Sequence, residues 1–261
     1  MTTLQGSWIW YELLTPDPDA AKAFYDAVVG WTIDAKPAGE MDYRMIVNPD
    51  GGLTGGVMRL TSDMTDHGAV PCWLGYVGVD DVDASAAAAT AAGGKVLLPA
   101  FDIPGAGRIA MVADCCGAPF YIMTPTPPPG GGESTAFAAL PHPGRCGWNE
   151  LYANNLDNAL GFYTGLFGWT LPDAMDMGPM GKYQFIAHDG VQVGAIMKRP
   201  EAVPVPVWCH YFWVDSIAEA KGKIEANGGQ VVNGPMEVPG PLWIVQGLDP
   251  QGALFSLVGE K

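Results

Sequence analysis

The chain repeats itself. Adding 138 to the numbering carries Trp10, Glu12 and Leu13 onto Trp148, Glu150 and Leu151. The same shift carries Phe24 and Tyr25 onto Phe162 and Tyr163, and Gly30, Trp31 and Thr32 onto Gly168, Trp169 and Thr170. Farther along the offset becomes 135, pairing Trp73 with Trp208, Tyr76 with Tyr211 and Asp80 with Asp215. Asp114, Gly117 and Phe120 likewise meet Asp249, Gly252 and Phe255. Identities spread at a nearly constant offset restrict the chain to one architecture built twice. The join is the TPTPPPGGG run from Thr124 to Gly132, which can hold neither a helix nor a central strand. The expected organisation is a first domain over 1–124, a Pro/Gly-rich linker over 125–145 and a second domain over 146–261. A short turn of helix is expected within the linker at Thr135 to Leu140.

Within each half, strand, helix and hairpin alternate. Ser7 to Leu14 is rich in aromatic and aliphatic residues and reads as a strand. Pro16-Asp17-Pro18-Asp19 opens a helix: Pro is tolerated in a first turn, and Asp suits its positive end. Gly30 closes it. Strands follow at Tyr43 to Val47 and Leu53 to Leu60, around the turn residues Asn48 to Gly52. A second cycle runs from a strand at Trp73 to Val79 through an Ala-rich helix at Val82 to Ala92. It ends in a hairpin of Gly107 to Ala113 with Pro119 to Thr124. Each half is thus two strand–helix–strands units, four along the chain.

Composition narrows the partners. Thirteen Lys and Arg against 28 Asp and Glu give a net charge of −15, which repels phosphate backbones and anionic lipid heads. Nucleic acid and membrane are therefore not expected partners. No basic start followed by a greasy stretch and no window of about 20 apolar residues is present, so a cytoplasmic protein is expected. The five cysteines have no CxxC spacing, and Cys115-Cys116 is vicinal, a geometry that strains a disulfide. Reduced thiols are expected.

The segments WYELLTPDPDAAKAFYDAVVGW and WNELYANNLDNALGFYTGLFGW resemble the opening strand and helix of the vicinal oxygen chelate superfamily. That superfamily includes glyoxalase I, bleomycin-resistance proteins and extradiol dioxygenases. GVDDVDASAAAATAAGG and WVDSIAEAKGKIEANGG resemble the start of its second module, and the DCCG and DPQG turns its closing hairpin. The resemblance covers nearly the whole chain apart from the linker. It implies an α+β fold of four βαβββ modules paired into two glyoxalase-like cups. It also implies a divalent metal in each cup, held by first and last strands.

Carried over position by position, the implied ligand sites fall on Trp10, Met58, Leu74 and Tyr121 in the first half. In the second half they fall on Trp148, Ile196, Cys209 and Ser256. Indole, isobutyl and thioether groups do not hold a hard or borderline divalent ion. No cofactor is therefore expected, with a displaced divalent metal as the alternative. Trp10, Tyr121, Trp148, Cys209 and Ser256 become candidate ligand-binding residues.

Three residues are candidates for chemistry. Glu12 and Glu150 each lie two residues beyond the Trp, so strand alternation places them on the same inward face. Each suits a general base, a cation anchor or a non-standard metal ligand; the plainer role is to satisfy backbone NH groups or a nearby Arg. His210 lies beside Cys209 but one residue out of register, so alternation turns it to the opposite face unless a bulge intervenes. An ordinary hydrogen-bonded histidine is its plainer role. Trp8, Trp10, Tyr121, Trp148 and Trp208 are read as aromatic lining for a flat or cationic organic ligand, or as filling of the cups. Gly105 to Ala110 matches GxGxxA but precedes a hairpin strand, so it is no nucleotide fingerprint. The reading is a small-molecule-binding protein of this superfamily without the usual metal. The alternative is a metal-dependent lyase or dioxygenase with displaced ligands such as Glu150 and His210. Two cups in one chain leave both a monomer and a homodimer open.

Overall fold

A computed structural model of the chain describes residues 4–37, 39, 41–126 and 134–261. The first module is β1 (Trp8–Thr15), α1 (Pro18–Val28), β2 (Thr32–Ile33), β3 (Tyr43–Val47) and β4 (Leu53–Arg59). A short helix, α2 (Ser62–Asp66), leads to β5 (Cys72–Gly78), α3 (Val82–Ala91), β6 (Lys95–Ile103), β7 (Gly107–Ala113) and β8 (Pro119–Pro125). The third module is β9 (Cys146–Ala153), α4 (Leu156–Phe167), β10 (Ala174–Asp176), β11 (Lys182–His188) and β12 (Val191–Lys198). The fourth is β13 (Val207–Ser216), α5 (Ile217–Ala226), β14 (Gln230–Val238), β15 (Leu242–Leu248) and β16 (Leu254–Glu260). The helices start where side chains can cap them: Asp17, Asp81, Asn155 and Ser216 accept from the NH three residues on.

The strands form two eight-stranded sheets, ordered β2-β3-β4-β1-β5-β8-β7-β6 and β10-β11-β12-β9-β13-β16-β15-β14. The fold is α+β, with four βαβββ modules. Two details of the linker depart from expectation. Residues 135–140 hold no helix; Phe137 instead makes an isolated parallel bridge with Cys146. The expected linker therefore has bonded structure in its second part, while its residues 127–133 lie outside the described residues. All five cysteines are free of disulfides. Among the described residues no helix is long and apolar enough to cross a membrane.

The chain divides into two compact units that each draw on both halves. One comprises residues 1–9, 75–133 and 148–208; the other comprises 10–74, 134–147 and 209–261. Inside each unit a helix of one half is tied to the closing turn of the other. In the second unit, the Tyr25 hydroxyl of α1 donates to Asp249 Oδ2 at 3.0 Å and accepts from Trp73 Nε1 at 2.9 Å. In the first unit, the Tyr163 hydroxyl of α4 donates to Asp114 Oδ2 at 3.1 Å and accepts from Trp208 Nε1 at 2.8 Å. The same aspartates shape their turns, Asp114 Oδ1 accepting from the NH of Cys116 and Ala118, and Asp249 Oδ1 from Gln251 and Ala253. Two indoles repeat the reciprocity: Trp31 donates to the Gly144 carbonyl and Trp169 to that of Gly6.

These contacts are buried, so hydrogen bonds to the charged aspartates carry weight. A hydrogen bond to an ionised group contributes roughly 1.5–3 kcal/mol. Tyr25→Phe and Tyr163→Phe are each expected to lower unfolding stability by about 2 kcal/mol, read as a shift of the urea midpoint. An unchanged midpoint in either variant contradicts the pairing.

Candidate functional site

The first strand of each half carries an indole, a carboxylate and, from the neighbouring hairpin, a phenol. In the third module, Trp148 Nε1 donates to the Tyr183 hydroxyl at 2.8 Å, and that hydroxyl donates to Glu150 Oε2 at 2.6 Å. Burial first, and then the Glu150 charge, push the Tyr183 phenol well above its ordinary pKa, so it stays protonated and able to donate. Strand register sets the arrangement: Phe185, Ala195 and Glu150 stand in one row across β11, β12 and β9. Phe185 meets Trp148 and Tyr183 edge to face, at 6.0 and 5.6 Å between centroids.

The first module repeats this plan with a difference. Trp10 Nε1 donates to the Tyr43 hydroxyl at 2.7 Å, and Glu12 is 3% exposed. The corresponding row is Met45, Gly56 and Glu12. A Cβ at Gly56 would lie 2.2 Å from the Tyr43 ring, so the ring rests on bare backbone there. Ala195 carries a methyl at the matching place. Cys72 of β5 is pushed up to about 12 by burial and, secondarily, by the Glu12 charge, which leaves it a neutral thiol.

The remaining candidates lie on the second and fourth modules. In the second, Tyr121 stacks on Tyr76 at 4.3 Å, in a row with Met111 and Leu98. In the fourth, the matching row is polar. Gln246 Nε2 donates to the Tyr211 hydroxyl at 3.1 Å and to Ser256 Oγ at 3.3 Å, and its Oε1 accepts from Asn233 at 2.9 Å. Leu74 and Cys209 are both buried. Tyr43, Tyr183 and Gln246 were not among the sequence candidates. The tyrosines do carry a signal, since each lies within the first two residues of the third strand of its module.

One sequence placement changes and two open alternatives are resolved. Trp8 and Trp208 take the filling role: they pack on each other at 5.0 Å, beside Trp169 and Tyr163 in the core of the first unit. Ile196 stands opposite Leu151, on the face away from Glu150, so Met197 opposite Tyr152 is the true counterpart of Met58. The 138-residue offset has become 139 by β12. His210 is 2% exposed and packs edge-on against Tyr11 at 4.9 Å. Alternation along β13 thus holds, and no bulge turns the imidazole toward the face of Cys209. The GxGxxA stretch forms the turn into β7 and the first residues of that strand, so it opens no helix.

The sequence profile described as Glyoxalase/Bleomycin resistance protein/Dioxygenase superfamily matches residues 9–122 and again 142–257. The chain belongs to this superfamily. A Mycobacterium tuberculosis protein named "Putative glyoxylase CFP32" is 32% identical over 259 residues, covering 97% of this chain and 95% of that protein. The "Anthracycline biosynthesis protein DauV" of a Streptomyces species is 30% identical over 269 residues, covering 97% and 93%. The fold is similar to a Mn(II)-bound glyoxalase from Novosphingobium aromaticivorans, with TM-score 0.66, 18% identity, and 98% and 83% of the two chains covered. It is also similar to homoprotocatechuate 2,3-dioxygenase of Brevibacterium fuscum, with TM-score 0.67, 14% identity, and 100% and 84% covered.

The metal of the superfamily's enzymes is tested by the donors present. The mapped positions offer indoles, thioethers, a leucine and a phenol, with one thiol and one hydroxyl in the second half. Ser256 is engaged by Gln246, and the Glu150 carboxylate accepts from Tyr183. Among the described residues no three His, Cys, Asp or Glu side chains come together as a group able to hold a metal. This donor set does not fit a divalent ion.

Burial alone lowers the His210 pKa from 6.5 to about 3. The folded chain therefore holds the neutral ring. The stabilisation is complete above 6.5 and is lost as pH falls from there toward 3, at up to about 1.4 kcal/mol per pH unit. His210→Gln is expected to flatten the acid limb of stability against pH, measured by urea unfolding. Parallel acid limbs for the two proteins contradict it.

Proposed function

We propose that the protein binds a small organic molecule on the aromatic residues of its first strands, without the metal chelate of its enzymatic relatives. The observation that carries the reading is the hydrogen-bonded set of Trp148, Tyr183 and Glu150 at the place where the superfamily's pattern puts a metal ligand. Indole and phenol rings present flat apolar faces with a polar edge, which suits stacking against planar solutes. The relative named for anthracycline biosynthesis supports this, since anthracyclines are planar polycyclic aromatics. Five thiols outside any disulfide suit a reducing compartment, and we place the protein in the cytoplasm.

The relative named as a glyoxylase favours a second reading, a lyase with displaced metal ligands. It requires two further donors beside Glu150, and none of the side chains at the mapped positions around it is an imidazole or a carboxylate. The binding reading needs no such donors.

Titration of the protein with a panel of planar phenols and quinones is expected to quench tryptophan fluorescence saturably. Trp148→Leu is expected to weaken the best binder by about tenfold, the loss of roughly 1.4 kcal/mol of ring contact, with near-UV circular dichroism retained. Absence of saturable binding, or equal binding by the variant, contradicts the reading.

A further inference from the structure

We propose that the ligand of the second half is an organic cation, an amine or quaternary ammonium group seated against Trp148 and Phe185 with Glu150 as its counter-charge. The inference rests on the binding reading above and names its ligand class.

Ring faces carry negative quadrupole potential, and an ammonium group is attracted to them within about 6 Å of a centroid. The third module supplies two half-buried rings, Trp148 and Phe185, in edge-to-face contact at 77°, each with part of its surface exposed as a wall. Tyr183 adds a third ring, at 80° to Phe185. Glu150 stands in the same row as Phe185, separated only by the small Ala195 of the intervening strand. The Tyr183 hydroxyl holds Oε2 of that carboxylate and so fixes its orientation beside the rings. Aromatic walls with an adjacent anion select for a cation twice, by quadrupole and by charge. The net charge of −15 draws cations toward the surface before contact.

The first half shows what is specific to the second. Its row has the thioether of Met45 where Phe185 stands, and the Tyr43 ring lies on Gly56. It keeps the carboxylate but lacks the second wall, so the inference is confined to the second half.

The test compares two probes of equal shape by isothermal titration into the full chain at neutral pH. One is 3-hydroxyphenyltrimethylammonium; the other, 3-tert-butylphenol, replaces the charged nitrogen with carbon. The cation is expected to bind about tenfold more tightly. Glu150→Gln and Phe185→Leu are each expected to reduce that preference severalfold, while Glu12→Gln retains it. Should Glu150→Gln lose its folded circular dichroism, Phe185→Leu and the wild-type preference decide. Equal affinity for the two probes, or a preference that survives the second-half substitutions, overturns the cation assignment and leaves the small-molecule reading standing. Absence of heat from both probes also overturns it. The broader reading falls too only if the aromatic panel is equally silent.

Discussion

The bond between a helix tyrosine and an aspartate in a distant turn organises this molecule. Tyr25 reaches Asp249, 224 residues away, and Tyr163 reaches Asp114, each also receiving an indole NH. Burying an aspartate is costly, and desolvation raises the pKa of both carboxyls. Two backbone NH groups and one phenol per carboxylate offset that cost. The same side chain thereby shapes the closing hairpin of one half and anchors the helix of the other. Each compact unit consequently contains parts of both halves. A duplicated sequence has become a structure whose halves depend on each other.

With the frame held in this reciprocal way, the side chains along the rows differ between the halves. Tyr76 and Tyr121 stack in the second module, where the fourth places Tyr211, Gln246 and Ser256 in a hydrogen-bonded row. Met45 and Gly56 in the first module become Phe185 and Ala195 in the third. The backbone register is the same in both cases, so these are changes of chemistry on a constant scaffold. Function is therefore argued from the side chains of each half separately. The superfamily name alone does not distinguish them.

Much of this was legible in the sequence because duplication compares one position with another inside a single chain. The offset located β1, β5, β9 and β13, and strand alternation placed Glu150 on the face of Trp148 and His210 away from that of Cys209. The correspondence between halves weakens where the offset drifts. Tyr183 lies 140 residues beyond Tyr43, and Met197 lies 139 beyond Met58, so a fixed shift passed over the phenol and selected Ile196. Strand β6 was hidden by Pro99, which an edge strand tolerates and a central one does not. The sequence left Trp8 and Trp208 between two roles because an aromatic side chain fills a core or lines a pocket with equal ease. The exchange of modules between halves leaves no periodic trace, since a contact across 224 residues does not alter local pattern.

The central functional claim is that indole, phenol and thioether groups have taken the places of metal ligands. Manganese(II) in water gives a six-line electron paramagnetic resonance signal that fades when the ion is bound. Titrating the purified full chain with manganese(II) at neutral pH tests the claim directly. The account predicts that the free-ion signal grows in proportion to the metal added, unaffected by the protein. Stoichiometric loss of signal at one ion per half, abolished by Glu150→Gln in the second, would contradict it.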